Sequence, residues 1–494
     1  MKKMILFFLA FCFLPIESYS IEIKGDTSSR DGYKIIRVWG SHYDRGYAYG
    51  YLLGEQIVDV LENYLIKSAL GGQKSKFDVM KSTFINYFEI DEKYSDEGQG
   101  ILDGMIANGE AAKLSSFLGR EIDKNDILCG NIIVEFAFLG CSSLALWGDR
   151  TEFENLIYTR NLDWDRSEVL LRNHLLTVHL EQEEDNEQSW VSFGFPGLIG
   201  ILSGINFSGV GAFHHMGNYG SLLSPGKKYP IFFSIRNGIE LKDYNADGFC
   251  NTSDVFSAIK AHKTGGGFII NVVNEPNEFN NEPNWAIVVE TDNASGTVYR
   301  TKADNISLTG DIIASTNHFR KLYPRVYCSR FDAIEKITKT QIPYSNDRAW
   351  DDLSSAAGVS STLQTIQYIP TEGIVRWALA DMQTPAYQKE KNVIYLADIT
   401  NVSEKLNEEI NIDVFPNPAK NEITLGNLPD GLVIQSIEMN DINGNKVNNS
   451  KKKLMINNEV LNTSNLSSGI YFLKITGVYK GRKTIFIEKV VIEN

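Results

Sequence analysis

Gly140-Cys141-Ser142-Ser143-Leu144-Ala145-Leu146-Trp147-Gly148 is followed, after a short polar turn, by Tyr158-Thr159-Arg160-Asn161-Leu162-Asp163-Trp164. The apolar run after the cysteine returns at Leu156 to Thr159, so the two stretches read as strands of a hairpin joined through Asp149 to Asn155. What precedes Gly140 reads differently. Ile57 to Ser68, Phe84 to Tyr94, Asp103 to Leu114 and Asp126 to Leu139 carry helical spacing, after one strand-like stretch at Tyr33 to Gly40. Gly46, Gly50 and Gly54 recur every four residues and share one helix face, where a neighbouring backbone can approach; the expectation is a helix packed tightly against a sheet. Gly140 and Cys141 thus divide a helical segment from a strand-rich one.

Further hairpins follow: Leu175 to Leu180 with Trp190 to Phe195, Ile199 to Ile205 with Val210 to His214, and Trp285 to Glu290 with Thr297 to Arg300. Ile312 to Phe319 continues as a strand, 325–338 and Asp351 to Ala357 are helical, and Val393 to Asp398 reads as a closing strand. Such a sheet must cover its apolar faces, and the helical pieces after Pro230 can do so. From about Asn401 the composition turns polar and acidic, giving a linker over 401–411, and from Ile412 short alternating strands read as a small β-sandwich.

At 494 residues the chain divides into two or three units, and its 43% hydrophobic content is ample for a large core. A formal charge of −14 without any basic stripe disfavours capture of nucleic acid or an anionic membrane by electrostatics. Lys2 and Lys3, the apolar run Met4 to Pro15 and the small residues of Ser18-Tyr19-Ser20 read as a signal peptide over 1–20, with Ile21 as the expected mature start. No later stretch reaches the ~20 apolar residues of a membrane span, so no transmembrane anchor is expected. Cys12 leaves with the signal peptide; Cys129, Cys141, Cys250 and Cys328 remain, with no CxxC pair, and a disulfide among Cys129, Cys250 and Cys328 stays open.

Asp243-Tyr244-Asn245-Ala246-Asp247-Gly248-Phe249-Cys250-Asn251-Thr252-Ser253-Asp254 places oxygen side chains at positions 1, 3, 5, 9 and 12 and glycine at 6. Hard oxygens can replace water around a hard cation and the glycine permits the sharp turn, so Asp243, Asn245, Asp247, the Phe249 carbonyl, Asn251 and Asp254 are candidate ligands of a structural calcium ion. The loop resembles those of dockerin and EF-hand repeats, with Asp254 where an EF-hand has glutamate. Only one such loop is present in the sequence, so docking by paired repeats is not expected.

Gly140 leaves its carbonyl unobstructed, and attack by the Cys141 thiol would be an N-to-S acyl shift that frees Cys141 as a new amino terminus. The product would carry nucleophile and base on one residue, a thiol and an α-amine with a pKa of ~7.7–8.0. No catalytic histidine is then required. His214 and His215 read as strand-end or core residues, because no third ligand keeps a metal spacing with them.

Gly140-Cys141-Ser142-Ser143 followed by Arg160-Asn161-Leu162-Asp163-Trp164 resembles the N-terminal-nucleophile (Ntn) hydrolases of the linear amide group, the penicillin acyltransferase-like autoproteolytic proteins, with choloylglycine hydrolase and acid ceramidase as relatives. The Gly40 to Gly54 stretch is similar to the propeptide region of the acyltransferase-like branch. The resemblance spans about 33–400 and implies an α+β fold, a four-layer αββα sandwich, with 21–140 as a prosegment and 141–400 as the catalytic portion. By motif it assigns Cys141 as nucleophile, Arg160 as the guanidinium beside it and Asp163 as the carboxylate holding the α-amine. It further assigns Asn218 as an oxyanion donor, and Asn317 with Arg330 as a later polar pair. It implies hydrolysis or acyl transfer at linear amide C–N bonds of small N-acyl substrates, with no cofactor for catalysis. Phe415-Pro416-Asn417-Pro418, Asp441 to Gly444 and Ser468-Gly469-Ile470-Tyr471-Phe472 resemble the C-terminal sorting domain of type IX secretion cargo, which implies that machinery as partner of 412–494 and a secreted or surface-attached protein. Two other readings are a non-catalytic calcium-binding surface protein on the same scaffold and a papain-like cysteine peptidase.

Overall fold

A computed structural model describes residues 22–30, 32–136, 139–180, 186–217, 224–277, 280–324, 326–340, 342–399, 412–426, 428, 433–441, 446–450, 460–479 and 482–493. The chain forms two compact units, Met1–Asn401 and Val402–Asn494. The expected signal peptide and the 401–411 linker lie outside the described residues.

The first unit carries, before Cys141, β1 (Gly25–Arg30), β2 (Tyr33–Val38) and helices α1 (His42–Asp59), α2 (Lys74–Tyr87), α3 (Glu92–Ala107), α4 (Glu110–Leu118) and α5 (Lys124–Leu128). Ser41 starts α1 with a capping box: the Asp44 amide donates to Ser41 Oγ and the Ser41 amide to Asp44 Oδ2, an arrangement worth about 1 kcal/mol. α1 then widens into a π-helical stretch, Val60–Ala69. The strands that follow are β3 (Gly140–Gly148), β4 (Glu154–Asp163), β5 (Leu175–His179), β6 (Trp190–Gly194), β7 (Ser203–Asn206), β8 (Gly211–Met216), β9 (Gly267–Val273), β10 (Ala286–Asp292), β11 (Gly296–Arg300), β12 (Ile312–Ser315), β13 (Thr362–Ile369), β14 (Ile374–Leu379) and β15 (Asn392–Tyr395). Helices α6 (Glu168–Arg172), α7 (Ile231–Glu240), α8 (Thr252–Lys260), α9 (Ser329–Ile337) and α10 (Asn346–Ala357) lie between them.

Nine strands form one sheet in the order β1-β2-β5-β6-β7-β8-β9-β10-β11, and six form another, β12-β3-β4-β13-β14-β15. The central strands of both sheets are buried on both faces, and the alternation of β3 shows how. Ala145 and Trp147 pack in the space between the sheets with Tyr158, Phe193, Phe213 and Trp377. Leu144 and Leu146 face the other way, onto Phe331 and Ile334 of α9 and Leu353 of α10. The outer face of the larger sheet, through Ile36, Ile270 and Val289, packs on Leu53, Ile101, Ile235 and Ile259 of α1, α3, α7 and α8. The layers therefore run helix, sheet, sheet, helix, the α+β sandwich expected.

Several details differ from the sequence reading. Gly46 and Gly50 face a helix, not the sheet: a Cβ on Gly50 would lie 2.0 Å from the Ile101 carbonyl oxygen, and one on Gly104 2.2 Å from that of Tyr47, so α1 and α3 cross backbone to backbone. The run Phe84 to Tyr94 is the end of α2, an extended Phe88 and the start of α3. Asp103 to Leu114 breaks where Gly109 takes a left-handed φ of +85° between α3 and α4. Asp126 to Leu139 is α5 and a 3-10 stretch, Cys129–Glu135, with 137–138 outside the described residues. β1, β9, β13 and β14 are additional strands, and β2 runs parallel to β5, so the stretch before Gly140 contributes two strands at one end of the larger sheet as well as helices.

The second unit holds three-stranded and four-stranded antiparallel sheets over one core that includes Ile423, Leu425, Ile437, Leu473, Ile475 and Val490, the small all-β sandwich expected. Among the described residues no helix is long and apolar enough to cross a membrane.

Candidate active site

β3 and β4 pair antiparallel with Cys141 opposite Leu162, Ser143 opposite Arg160 and Gly140 opposite Asp163. The pleat then sorts the site residues. Cys141 shares its face with Ala145, and Arg160 with Tyr158, so thiol and guanidinium enter the space between the sheets; Gly140 and Asp163 point to the α9 side. The backbone of 140–141 lies between two sets of functional groups.

On the inner side, Arg160 Nη2 lies 3.6 Å from Cys141 Sγ and donates to the His214 carbonyl at 2.6 Å, while Nη1 donates to Ser203 Oγ at 2.9 Å. Burial raises the Cys141 thiol above its ordinary pKa, opposed by the Arg160 charge, so the resting group is a thiol that needs a base. Among the described residues no imidazole nitrogen contacts it; the thiol's neighbour at His214 is the carbonyl, 3.8 Å away. Both rings at 214 and 215 are buried and held neutral by burial and the Arg160 charge.

On the α9 side, Arg330 donates from Nη1 to Asp163 Oδ2 at 2.7 Å and from Nη2 to Asn317 Oδ1 at 2.6 Å. Asn317 Oδ1 also accepts the Cys141 backbone N–H at 2.9 Å, and its Nδ2 donates to the carbonyls of Leu139 and Met216, both at 3.0 Å. Thr362 Oγ1 donates to Asp163 Oδ1 at 2.7 Å. Burial pushes the Asp163 carboxyl up, and the bonds from Thr362 and Arg330 oppose it. Space at Gly140 is tight: a Cβ would sit 3.0 Å from Asp163 Cβ and 3.1 Å from its Oδ2 and would press on that carboxylate.

Five of the six sequence candidates, Cys141, Arg160, Asp163, Asn317 and Arg330, thus meet around one peptide bond; Asn218 lies outside the described residues. Sequence reading missed Thr362, Ser203 and the His214 carbonyl. No local signal marks them: Thr362 is 199 residues from the carboxylate it holds. Just past the end of β4 an apolar cleft is lined by Leu61, Tyr64, Ile133, Trp164, Leu170 and Phe195, with the Trp164 indole N–H donating to Tyr64.

In the oxygen-rich loop, Asp243 accepts the amides of Asp247 (3.0 Å) and Gly248 (2.8 Å), Asn245 Oδ1 that of Asp247, and Asp247 Oδ1 that of Phe249. Gly248 takes φ +89°. Asn251 caps α8, and Asp254 accepts the amides of Tyr244, Asn245 and Asn251, turned toward backbone rather than toward Asp243 and Asp247. All four cysteines 129, 141, 250 and 328 are free thiols.

Comparison with known proteins gives three findings. Residues 413–493 match the family model described as secretion system C-terminal sorting domain. Protein dcd1B of Dictyostelium discoideum is 24% identical over 233 residues, covering 43% of this chain and 43% of its own length, so the match spans less than half of either protein. Similar solved structures include the Caenorhabditis elegans ortholog of N-acylethanolamine-hydrolyzing acid amidase (16% identity, TM-score 0.34, 47% of this chain and 93% of that one). They also include a variant of conjugated bile acid hydrolase from Clostridium perfringens (12% identity, TM-score 0.35, 55% of this chain and 99% of that one). The match over residues 413–493 marks this chain as a type IX secretion cargo, secreted or held at the cell surface.

Proposed function

We propose that the protein is a self-cleaving cysteine amidase or acyltransferase of the Ntn type, acting on linear amide C–N bonds of N-acyl substrates with Cys141 as its N-terminal nucleophile. One observation carries this reading: the site is built around the backbone nitrogen of Cys141 as much as its thiol. A structural cysteine gives no reason for Asn317 to hold that N–H while gripping the Leu139 carbonyl and bonding to Arg330.

Activation would begin with attack of Cys141 Sγ on the Gly140 carbonyl carbon. The C–N bond breaks as the thioester forms, and the Cys141 nitrogen takes the proton. Water then releases the Gly140 carboxylate and leaves Cys141 with a free α-amine beside Asn317 Oδ1. In turnover the α-amine accepts the thiol proton as sulfur attacks the substrate carbonyl, then passes it to the leaving nitrogen. Water or another amine resolves the thioester. Arg160 favours the thiolate through its charge, and Asp163 with Arg330 orients the amine. Asn218 is proposed as oxyanion donor on the resemblance alone. The apolar cleft at Trp164 suits an acyl group, since its lining offers no partner for a charge. Among the described residues no imidazole nitrogen contacts Sγ, which disfavours the papain-like alternative. Intact mass and amino-terminal sequencing of the mature protein test the reading: a fragment beginning at Cys141 is expected, and an uncleaved chain rejects it.

Arg330→Met is expected to lower kcat on a chromogenic N-acyl anilide by roughly 100-fold with little change in KM, because one guanidinium holds both Asp163 and Asn317. A loss below about fivefold would remove Arg330 from the machinery.

We also propose a structural calcium ion at Asp243, Asn245, Asp247, the Phe249 carbonyl, Asn251 and Asp254. The oxygen-only donor set and the Gly248 turn support it; the commitment of Asp254 to three amides opposes it. Millimolar calcium is expected to raise Tm by roughly 2–4 °C, and Asp243→Ala to abolish the rise. An unchanged Tm ends the proposal.

A further inference from the structure

Seven ionisable side chains that the chemistry at Cys141 does not use converge elsewhere in the unit. His42 and Arg45 come from α1, Lys93 and Glu97 from α3, Glu187 from the stretch before β6, and Arg236 and Glu240 from α7. All are buried except Lys93, which is partly exposed. Arg236 grips Glu97 through two bonds, 3.0 and 2.6 Å, and reaches Glu240 at 2.9 Å. Arg45 pairs with Glu187 at 2.5 Å and Glu240 at 3.2 Å; Lys93 reaches the same two carboxylates at 3.3 and 3.2 Å. Three carboxylates are thus balanced by three permanent cations. His42, Glu187 and Glu240 stand close enough to share a metal ion, but guanidinium and ammonium groups already occupy those carboxylates and fill the site with positive charge.

His42 is the odd member. Its Nδ1 lies 2.8 Å from Glu97 Oε2 and its Nε2 2.8 Å from Glu187 Oε1. A neutral imidazole has one N–H and one lone pair, so it can satisfy only one of two ionised carboxylates and must turn a lone pair on the other. Arg236 on Glu97, and Arg45 with Lys93 on Glu187, keep both acids ionised. Both contacts are favourable only for the imidazolium.

The bonds also share a direction. His42–Glu187, Arg45–Glu187, Arg45–Glu240, Lys93–Glu187, Lys93–Glu240 and Arg236–Glu97 each join a residue before Gly140 to one after Cys141. Tyr94 adds a hydroxyl bond to Asn237 at 2.6 Å. We propose that this cluster is a protonation-dependent clasp between helices α1 and α3 and the rest of the unit, closed while His42 is an imidazolium and loosened when it becomes neutral.

Burial alone would lower the His42 pKa, but the bonds to Glu187 and Glu97 and the nearby Glu240 charge outweigh it and raise it above 6.5. A raised folded-state value means that this stability is fully present below about pH 6.5 and lost as pH climbs through the folded-state pKa. Glu97, Glu187 and Glu240 are held below their ordinary value, so their share is kept above about pH 4.5 and lost in stronger acid. The clasp is tightest between those limits.

The test uses the full chain carrying Cys141→Ala, with and without His42→Gln, so that it does not depend on cleavage. Thermal unfolding of the His42 parent is expected to show a Tm lower by roughly 3–6 °C at pH 9 than at pH 6, with most of that difference missing in His42→Gln. Long-range proton–nitrogen spectra of histidine-labelled parent should show His42 doubly protonated at pH 6.5. Equal pH dependence in both proteins, or a neutral His42 at that pH, overturns the clasp; if His42→Gln does not fold, the spectrum decides. A second arm rests on the self-cleavage reading: fragments of the cleaved protein should co-elute at pH 6 and separate more readily at pH 9. An uncleaved wild-type chain defeats that reading and leaves the first arm standing.

Discussion

Cys141→Ala is expected to leave the chain unbroken between Gly140 and Cys141 and to reduce amide turnover by at least ~10⁴-fold, as removal of a nucleophile does elsewhere. Both losses have one cause. In the proposed mechanism the sulfur that opens the Gly140 peptide is the sulfur that later attacks substrate, and the amine that serves as its base does not exist until that peptide is open. Denaturing electrophoresis would show one band in place of two, and mass spectrometry would find the Gly140–Cys141 peptide intact. The fold should persist, because the neighbouring bonds of Arg160 to His214 and Ser203, and of Arg330 to Asp163 and Asn317, do not involve the sulfur. A Cys141→Ala protein that still split at this peptide would sink the mechanism. One that stayed whole but kept turnover would separate cleavage from catalysis and remove Cys141 as nucleophile.

The second large effect concerns Gly50. In an ordinary exposed helix Gly→Ala stabilises by about 0.5–1 kcal/mol, so the sign of the result is informative. Here the added methyl would lie 2.0 Å from the Ile101 carbonyl oxygen and 2.7 Å from its carbon, backbone atoms that cannot rotate away. Gly100 and Gly104 meet α1 in the same manner, since a Cβ on them would lie 2.3 Å from Tyr43 O and 2.2 Å from Tyr47 O, so the helices cannot slide to make room without a second clash. Separating them would also pull His42 and Arg45 from Glu187 and the Arg236–Glu97 pair apart. A cost above about 3 kcal/mol is expected, a large part of the ~5–15 kcal/mol that holds a typical domain. Gly50→Ala should therefore show a depressed Tm or fail to accumulate as soluble protein, whereas Gly119→Ala, with open space around its Cβ, should lose only what its left-handed φ of +77° imposes. Equal Tm for Gly50→Ala and wild type would contradict the crossing.

Much of the candidate site is readable because it is local. Cys141, Arg160 and Asp163 sit on the two strands of one hairpin, and period-two alternation in a short stretch gives both strands and their facing sides. Asn317 and Arg330 were proposed through a resemblance, and their placement depends on β12 pairing with β3 and on α9 packing over that sheet. β13 escaped notice for a different reason. Gln364, Thr365 and Gln367 are polar yet fully buried, because Thr365 donates to Asn161 and Gln367 to Thr159 across the strand pair. Buried polar residues stitched by side-chain hydrogen bonds interrupt the apolar pattern that Leu363, Ile366 and Tyr368 would otherwise give.

What the sequence by itself determined are features whose causes lie within about twenty residues: the hairpin that carries thiol, guanidinium and carboxylate, the glycine face of α1, and the individual short motifs of the sorting domain. The tertiary structure alone decided which groups those features meet. It set α3 rather than a sheet against the glycines, Thr362 and Arg330 against Asp163, and Glu97 with Glu187 on the two nitrogens of His42. The physical reason is that a side chain's partner across 55 to 199 residues is chosen by strand register and helix packing summed over the whole core, and no short stretch of chain carries that sum.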